Sequence, residues 1–112
     1  MTLYRLRVSA TARADVREAL QYSAFRFGGT AMQRYADLIE QALTDIRADP
    51  FDTGSSARSD LGADVRVRHL KASAATSGVA DPRHIVFYRV NGTVVDVLRI
   101  LHEMRDAPRH LP

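Results

Sequence analysis

The first stretch, LYRLRV, alternates along the chain. Leu3, Arg5 and Arg7 fall on one side, and Tyr4, Leu6 and Val8 on the other, which predicts a half-buried strand over Leu3–Val8. Ser9 then offers an N-cap to a helix over Thr11–Phe27. At about 100° per residue, Ala12, Val16, Ala19, Leu20, Ser23 and Phe27 share one stripe, with Arg13, Arg17, Glu18 and Gln21 off it. Gly28-Gly29 closes that helix. Thr30 and Gln33 have capping-box spacing and predict a second helix, whose apolar face carries Met32, Tyr35, Ala36, Leu38, Ile39, Ala42, Leu43 and Ile46. Pro50 stops it. Two amphipathic helices joined by a short Gly turn predict a helical hairpin.

Residues 52–64 read as a loop by composition. Alternation returns over Val65–Leu70, where Val65, Val67 and His69 oppose Arg66, Arg68 and Leu70. Residues 72–83 are small, polar and broken by Gly78 and Pro82, and read as a flexible connection. The strongest hairpin signal follows: His84–Val90, Asn91-Gly92, then Thr93–Leu101. A type I′ turn at Asn91-Gly92 predicts that Val90 faces Thr93, Tyr88 faces Val95, Val86 faces Val97 and His84 faces Arg99. The opposite face, with Ile85, Phe87, Val94, Leu98 and Ile100, is then expected to receive the helices. Arg89 and Asp96 sit diagonally there, as a cross-strand ion pair at the rim. The tail, residues 103–112, is polar and is expected to be loosely held.

The order β-α-α-β-β-β predicts an α+β two-layer sandwich: a helical hairpin packed on a mainly antiparallel four-stranded sheet. The last strand is the most apolar, so it is expected to be central with the first strand beside it. A length of 112 residues fits one domain over 1–112.

Composition narrows the function. Apolar residues make up 46% and the net charge is only +3, which excludes a mainly disordered chain. There is no cysteine, so disulfide scaffolds and Cys-based zinc sites are excluded. No apolar run approaches the roughly 20 residues of a membrane span. The arginines within the first apolar stretch do not suit a secretory signal, so the cytoplasm is the expected location and no membrane partner is expected. Residues 1–56 carry seven basic and seven acidic side chains, and residues 57–112 carry nine basic and six acidic. Fifteen of the 16 basic residues are Arg, a side chain whose planar fork suits carboxylate or phosphate. The excess in the second half points to an anionic partner or to ordinary surface charge.

Candidate chemistry is sparse. His84, Tyr88 and Arg99 on one sheet face, with Arg68 or His69 from the neighbouring strand, form either a basic aromatic concavity able to stabilise a phosphoryl transition state or a solvated sheet face. His102, Arg105, Arg109 and His110 crowd the C-terminus without any HxH or HExxH spacing, so no metal is expected. Tyr22 and Phe25 lie off the apolar stripe of the first helix, where a ring marks either a partner-covered surface or a single exposed aromatic. No phosphate-binding glycine loop and no GxSxG elbow occurs, and no cofactor is expected.

The stretches SATARADVREALQYSAFRFG and RHIVFYRVNGTVVDVLRILHEMRDAPRHL resemble the ParE branch of the RelE/ParE toxin superfamily. Tyr88-Arg89-Val90, Leu98-Arg99-Ile100-Leu101-His102 and Arg109-His110 carry the likeness, in the same order over nearly the whole chain. The 72–83 connection is longer than in compact members, and Ser9-Ala10 stands where the family has Ser-Pro. The resemblance implies the toxin of a type II toxin–antitoxin pair. A ParD-like antitoxin would fold over it, DNA gyrase would be its target, and promoter DNA would be contacted only through the antitoxin. In that reading Arg99, His102, Arg105 and Arg109 bind the target, Tyr22 and Phe25 bind the antitoxin, and the protein is not an enzyme. The RelE branch implies the alternative, a ribosome-dependent endoribonuclease using His84, Tyr88 and Arg99. The single Lys, and Ile85 where a RelE-type arginine would align, weigh against it. A third reading is a degenerate toxin that only binds its antitoxin.

Overall fold

The computed structural model describes residues 3–111; residue 112, the end of the expected tail, lies outside them. The elements are β1 (Arg5–Val8), α1 (Ala10–Phe27), α2 (Gly29–Ala48), β2 (Ser55–Ala57), β3 (Val65–His69), β4 (His84–Asn91), β5 (Val94–His102) and α3 (Ala107–His110). The sheet order is β1-β5-β4-β3-β2, with β1 parallel to β5 and the remaining pairs antiparallel. The fold is an α+β sandwich with α1 and α2 on one face. The sheet gains a fifth strand, β2, inside the stretch read as a loop. Three residues, SSA, carry no period to reveal it.

Ser9 caps α1 as expected, its hydroxyl accepting from the Ala12 N–H at 3.0 Å. The capping box at Thr30 does not form. Gly28, at φ +91°, ends α1 and also begins α2, so Thr30 already lies inside the helix. Gln33 instead donates to Asp37. The stripes meet over a core in which Ala12, Leu38, Ile39, Ala42 and Ile46 pack on Val86, Tyr88, Val95, Val97 and Ile100. Phe27, expected on that stripe, is instead 67% exposed and lies outside the core cluster.

The helices therefore cover the face opposite to the one expected, and the hairpin register explains part of this. The turn residues are Gly92 and Thr93, with Asn91 paired to Val94 and positive φ at Gly92. Gly at the first turn position suits a type II′ turn. Tyr88 thus pairs with Val97 rather than Val95. A bulge then skips Leu98, so Phe87 pairs with Arg99 and His84 with His102. One extra residue reverses the facing of everything beyond it. Ile100 and His102 turn to the helix side, and the expected His84–Arg99 pair is not made. Arg89 and Asp96 are direct partners, but Arg89 donates to the Ala63 carbonyl and Asp96 pairs with Arg7 at 2.7 Å.

The open face has its own small cluster. Phe87 and Leu101 are buried against Ala107, with Leu61, Val67, Ile85 and Leu111 around them. The tail thus carries α3 across the sheet. The 72–83 connection is likewise anchored, by buried Ser73 and by Val79 packed on the main core.

A polar latch closes the far side. Arg68 is 5% exposed, and its fork donates to Ser73 (2.9 Å), Asp52 (3.0 Å) and the Ala72 carbonyl (3.1 Å), with Asp45 at 3.5 Å. Ser73 in turn donates to Asp45 at 2.7 Å. A Cβ at Gly54 would run into the Arg68 guanidinium, so any larger residue there has to push the latch aside. Arg68→Met removes the donors and leaves both carboxylates half-covered. It is expected to cost about 2–4 kcal/mol, read as a lower midpoint in urea unfolding, whereas an unchanged midpoint contradicts the latch.

Candidate functional site

Two adjoining cavities, of about 430 and 670 Å³, form one groove along the C-terminal half of α1. Ala19, Tyr22, His84 and His102 line both. The first continues over Arg99 and Arg105 to His110 in the tail. The second continues over Phe27, Arg34, Tyr35 and Met104.

The bulge places the groove floor. Beyond Val97, β5 has no strand on its β1 side, and α1 begins there. The backbone groups around the bulge are bound by α1 instead. The Ser9 hydroxyl donates to the Leu98 carbonyl (2.9 Å), and the Asp15 carboxylate accepts the Ile100 N–H (2.9 Å). The same carboxylate receives the Arg99 fork at 2.7 and 2.8 Å, and a further Arg99 nitrogen donates to the His110 carbonyl at 2.9 Å. Arg99 therefore fastens the tail to α1.

His84 stands at the centre. The Tyr35 hydroxyl accepts from the Arg83 N–H at 3.2 Å, so its own proton goes to His84 Nδ1, 2.6 Å away. That assigns the tautomer with the proton on Nε2. Burial, and then the neighbouring His102, push the His84 imidazole down to about 4, so it is neutral at pH 7. The His102 ring meets His84 edge-on at 5.5 Å and accepts the Met104 N–H on Nδ1. At the rim, Glu103 takes hydrogen bonds from Arg83 (2.6 Å) and His69 (2.8 Å). These bonds, Arg83 first, hold its carboxyl at about 2.

Of the residues singled out in the sequence, Tyr22, His84, Arg99, His102 and Arg105 are brought together. Tyr88 is not among them. It is wholly buried, and its hydroxyl donates to the Pro50 carbonyl at 2.6 Å. Arg109 is exposed and, among the described residues, paired only with Asp106, at 3.5 Å. Phe25 is 86% exposed and outside the groove, while Phe27 and Met104, at 67% and 82%, line it. Arg105 lies 3.7 Å from Glu18. Asp15, Tyr35 and Glu103 escaped the sequence reading. Asp15 had one legible signal, a carboxylate beside Ala12, Val16 and Ala19 on the buried stripe. Tyr35 read as core, and Glu103 as tail. Among the described residues, no group of His, Asp and Glu is placed to hold a metal, and no helix is long and apolar enough to cross a membrane.

The neutral His84 gives a pH signature. Its folded value lies below the unfolded 6.5, so the unfolded chain binds the extra proton between those values. Its contribution is full above pH 6.5 and is lost as pH falls towards 4. His84→Gln is expected to flatten the pH dependence of the melting temperature in that window by several degrees relative to wild type. Parallel curves for the two proteins contradict the assignment.

The likeness to known proteins agrees with this architecture. No curated protein matches the chain. Among solved structures, a protein described as the chromosomal ParDE TA system from P. aeruginosa superposes with a TM-score of 0.68 at 15% identity, covering 89% of this chain and 96% of that one. Residues 6–107 match the family described as the ParE toxin of the type II toxin–antitoxin system, parDE. That span runs from β1 into α3 and includes α1, α2 and every groove residue named above except His110, and the chain belongs to the ParE toxin family.

Proposed function

We propose that this toxin acts in the cytoplasm by binding DNA gyrase rather than by cutting RNA, and that a ParD-like antitoxin neutralises it by covering the groove. The observation that carries the reading is the state of the groups a nuclease would need. Tyr88 is buried and bound to Pro50, Arg99 is bound to Asp15, and His84 holds the Tyr35 proton on Nδ1. A general base and a phosphate-binding cation free on one face are not available from that trio.

What stays available suits protein binding. Tyr22, Phe27 and Met104 give the groove an exposed apolar wall, and Phe25 extends the exposed apolar surface of α1. An amphipathic antitoxin segment fits there, with acidic side chains towards Arg34 and Arg83. The tail offers Arg105, Arg109 and His102 to the target, while Arg99 positions it through the His110 carbonyl.

In a supercoiling assay with purified gyrase, the protein is expected to abolish supercoiling or trap cleaved DNA, and to leave mRNA intact in a translation reaction. Cut mRNA with normal supercoiling overturns the proposal. Truncation at Glu103 would also uncover Phe87 and Leu101, so the double change Arg105→Glu, Arg109→Glu is the cleaner test of the tail. It is expected to lower gyrase inhibition at least tenfold while the antitoxin still binds. Tyr22→Ala and Phe25→Ala are each expected to weaken the antitoxin complex by about 1–3 kcal/mol, and unchanged dissociation constants remove those rings from the interface.

A further inference from the structure

The β1 edge carries a feature that the groove does not use. Arg5 and Ser9 donate their backbone N–H groups to the carbonyls of Thr93, just before β5, and of Val97 on β5, so the carbonyls of Tyr4, Leu6 and Val8 point outward, away from the sheet. Two of these three are covered by guanidinium groups from the helix layer. Arg47 of α2 donates through Nε to the Tyr4 carbonyl at 3.1 Å, and Arg13 of α1 through Nε to the Val8 carbonyl at 3.3 Å. Tyr4 and Val8 are about 13 Å apart along the strand. Between them, on the open face, stand Arg5 and Arg7. All four arginines are exposed. Among the described residues, Asp96, bound to Arg7, is the one carboxylate engaged with any of the four. Residues 1–56 have no net charge, yet this edge is strongly positive.

We infer that the β1 edge of this toxin is a binding surface for the phosphate backbone of nucleic acid. Three observations favour that occupant over an acidic strand adding to the sheet. Two outward carbonyls are already covered, so an added strand would have to displace Arg13 and Arg47 before pairing. The exposed groups on the edge are chiefly donors and cations, which suits an acceptor-only ligand with charge at short intervals. The Nε of Arg13 and of Arg47 is tied to backbone, which fixes each fork with its terminal nitrogens turned to solvent to donate, as phosphate contact requires. Duplex DNA presents one charge per 1.7 Å of axis, so a 13 Å edge faces several phosphates. The contact reads no sequence, and it is independent of the gyrase reading.

The test is fluorescence anisotropy of a labelled 20-base-pair duplex with the purified toxin, titrated at several salt concentrations. Wild type is expected to bind with a dissociation constant of roughly 10⁻⁶–10⁻⁴ M, and log affinity is expected to fall against log salt with a slope of about −3. The double change Arg5→Gln, Arg47→Gln is expected to reduce that slope by about 2 and the affinity at least tenfold. A charge-matched control, Arg26→Gln with Lys71→Gln, is expected to behave as wild type. Arg5→Gln alone changes an exposed side chain without touching a covered carbonyl. It is expected to reduce the slope by about 1, which keeps the test decisive if the double variant folds poorly. Equal losses in the control would make the binding a diffuse effect of net charge and overturn the proposal. Binding of a polyglutamate peptide with none of DNA would assign the edge to an acidic peptide, and binding of neither would remove it as a site.

Discussion

The carboxylate of Asp15 determines what this sheet presents to solvent. β5 outruns β1, so past Val97 one of its edges has no strand partner. A bulge at that point leaves backbone groups that need bonds inside the fold. Ser9 and Asp15, from the first two turns of α1, supply them at Leu98 and Ile100. The bulge is thus built into the junction between β1 and α1. Asp15 also receives both arms of Arg99, so one acid joins the strand, the helix and, through the His110 carbonyl, the tail.

The chemistry of the groove follows from that junction. Reversing the strand after Leu98 brings His102 beside His84 and turns Ile100 into the core. Burial first, and then the His102 ring set edge-on against it, disfavour positive charge on His84. The centre of the groove floor is therefore a hydrogen-bonded aromatic surface built around neutral His84, where the unbulged register predicted a basic concavity. Charge moves to the rim, onto Arg83, Glu103, Arg105 and Glu18. A hydrogen-bonded aromatic floor with a charged rim is the anatomy of a protein-binding surface more than of a phosphoryl-transfer site.

Much of the architecture was legible because it rests on periodicity. The α2 stripe is buried at Leu38, Ile39, Ala42 and Ile46, and the apolar β5 is an interior strand beside β1, as its composition indicated, with β4 in the middle once β2 is added. What escaped the sequence was set by single bonds between distant residues. Nothing near Leu98 announces a bulge, because the side chains that bind the backbone groups around it, Ser9 and Asp15, lie 89 and 85 positions earlier than the groups they bind. The type I′ turn was preferred at Asn91-Gly92 on local propensity, yet Gly92 with Thr93 forms a turn equally compatible with strand twist. The candidate site was legible as a set of residue types at the end of the sheet. It was not legible as a geometry, since one skipped residue decides which of His84, Tyr88 and Arg99 share a face.

The arginines show why residue type alone could not assign roles. Arg68 and Arg66 look like exposed strand positions in an alternating pattern, but they point to the helix side and bind Asp52, Ser73, Ser55 and Pro50. Arg99 looks like a ligand-binding cation and is a fastener. Arg13 and Arg47 look like ordinary helix surface and instead cover the carbonyls of an edge strand. That last use solves a problem every open sheet has, since an unpaired edge invites another strand. Covering it with fixed guanidinium groups blocks strand addition and concentrates positive charge at the same place. The device that prevents one kind of association thus creates the conditions for another, with a partner that brings acceptors and no strand of its own.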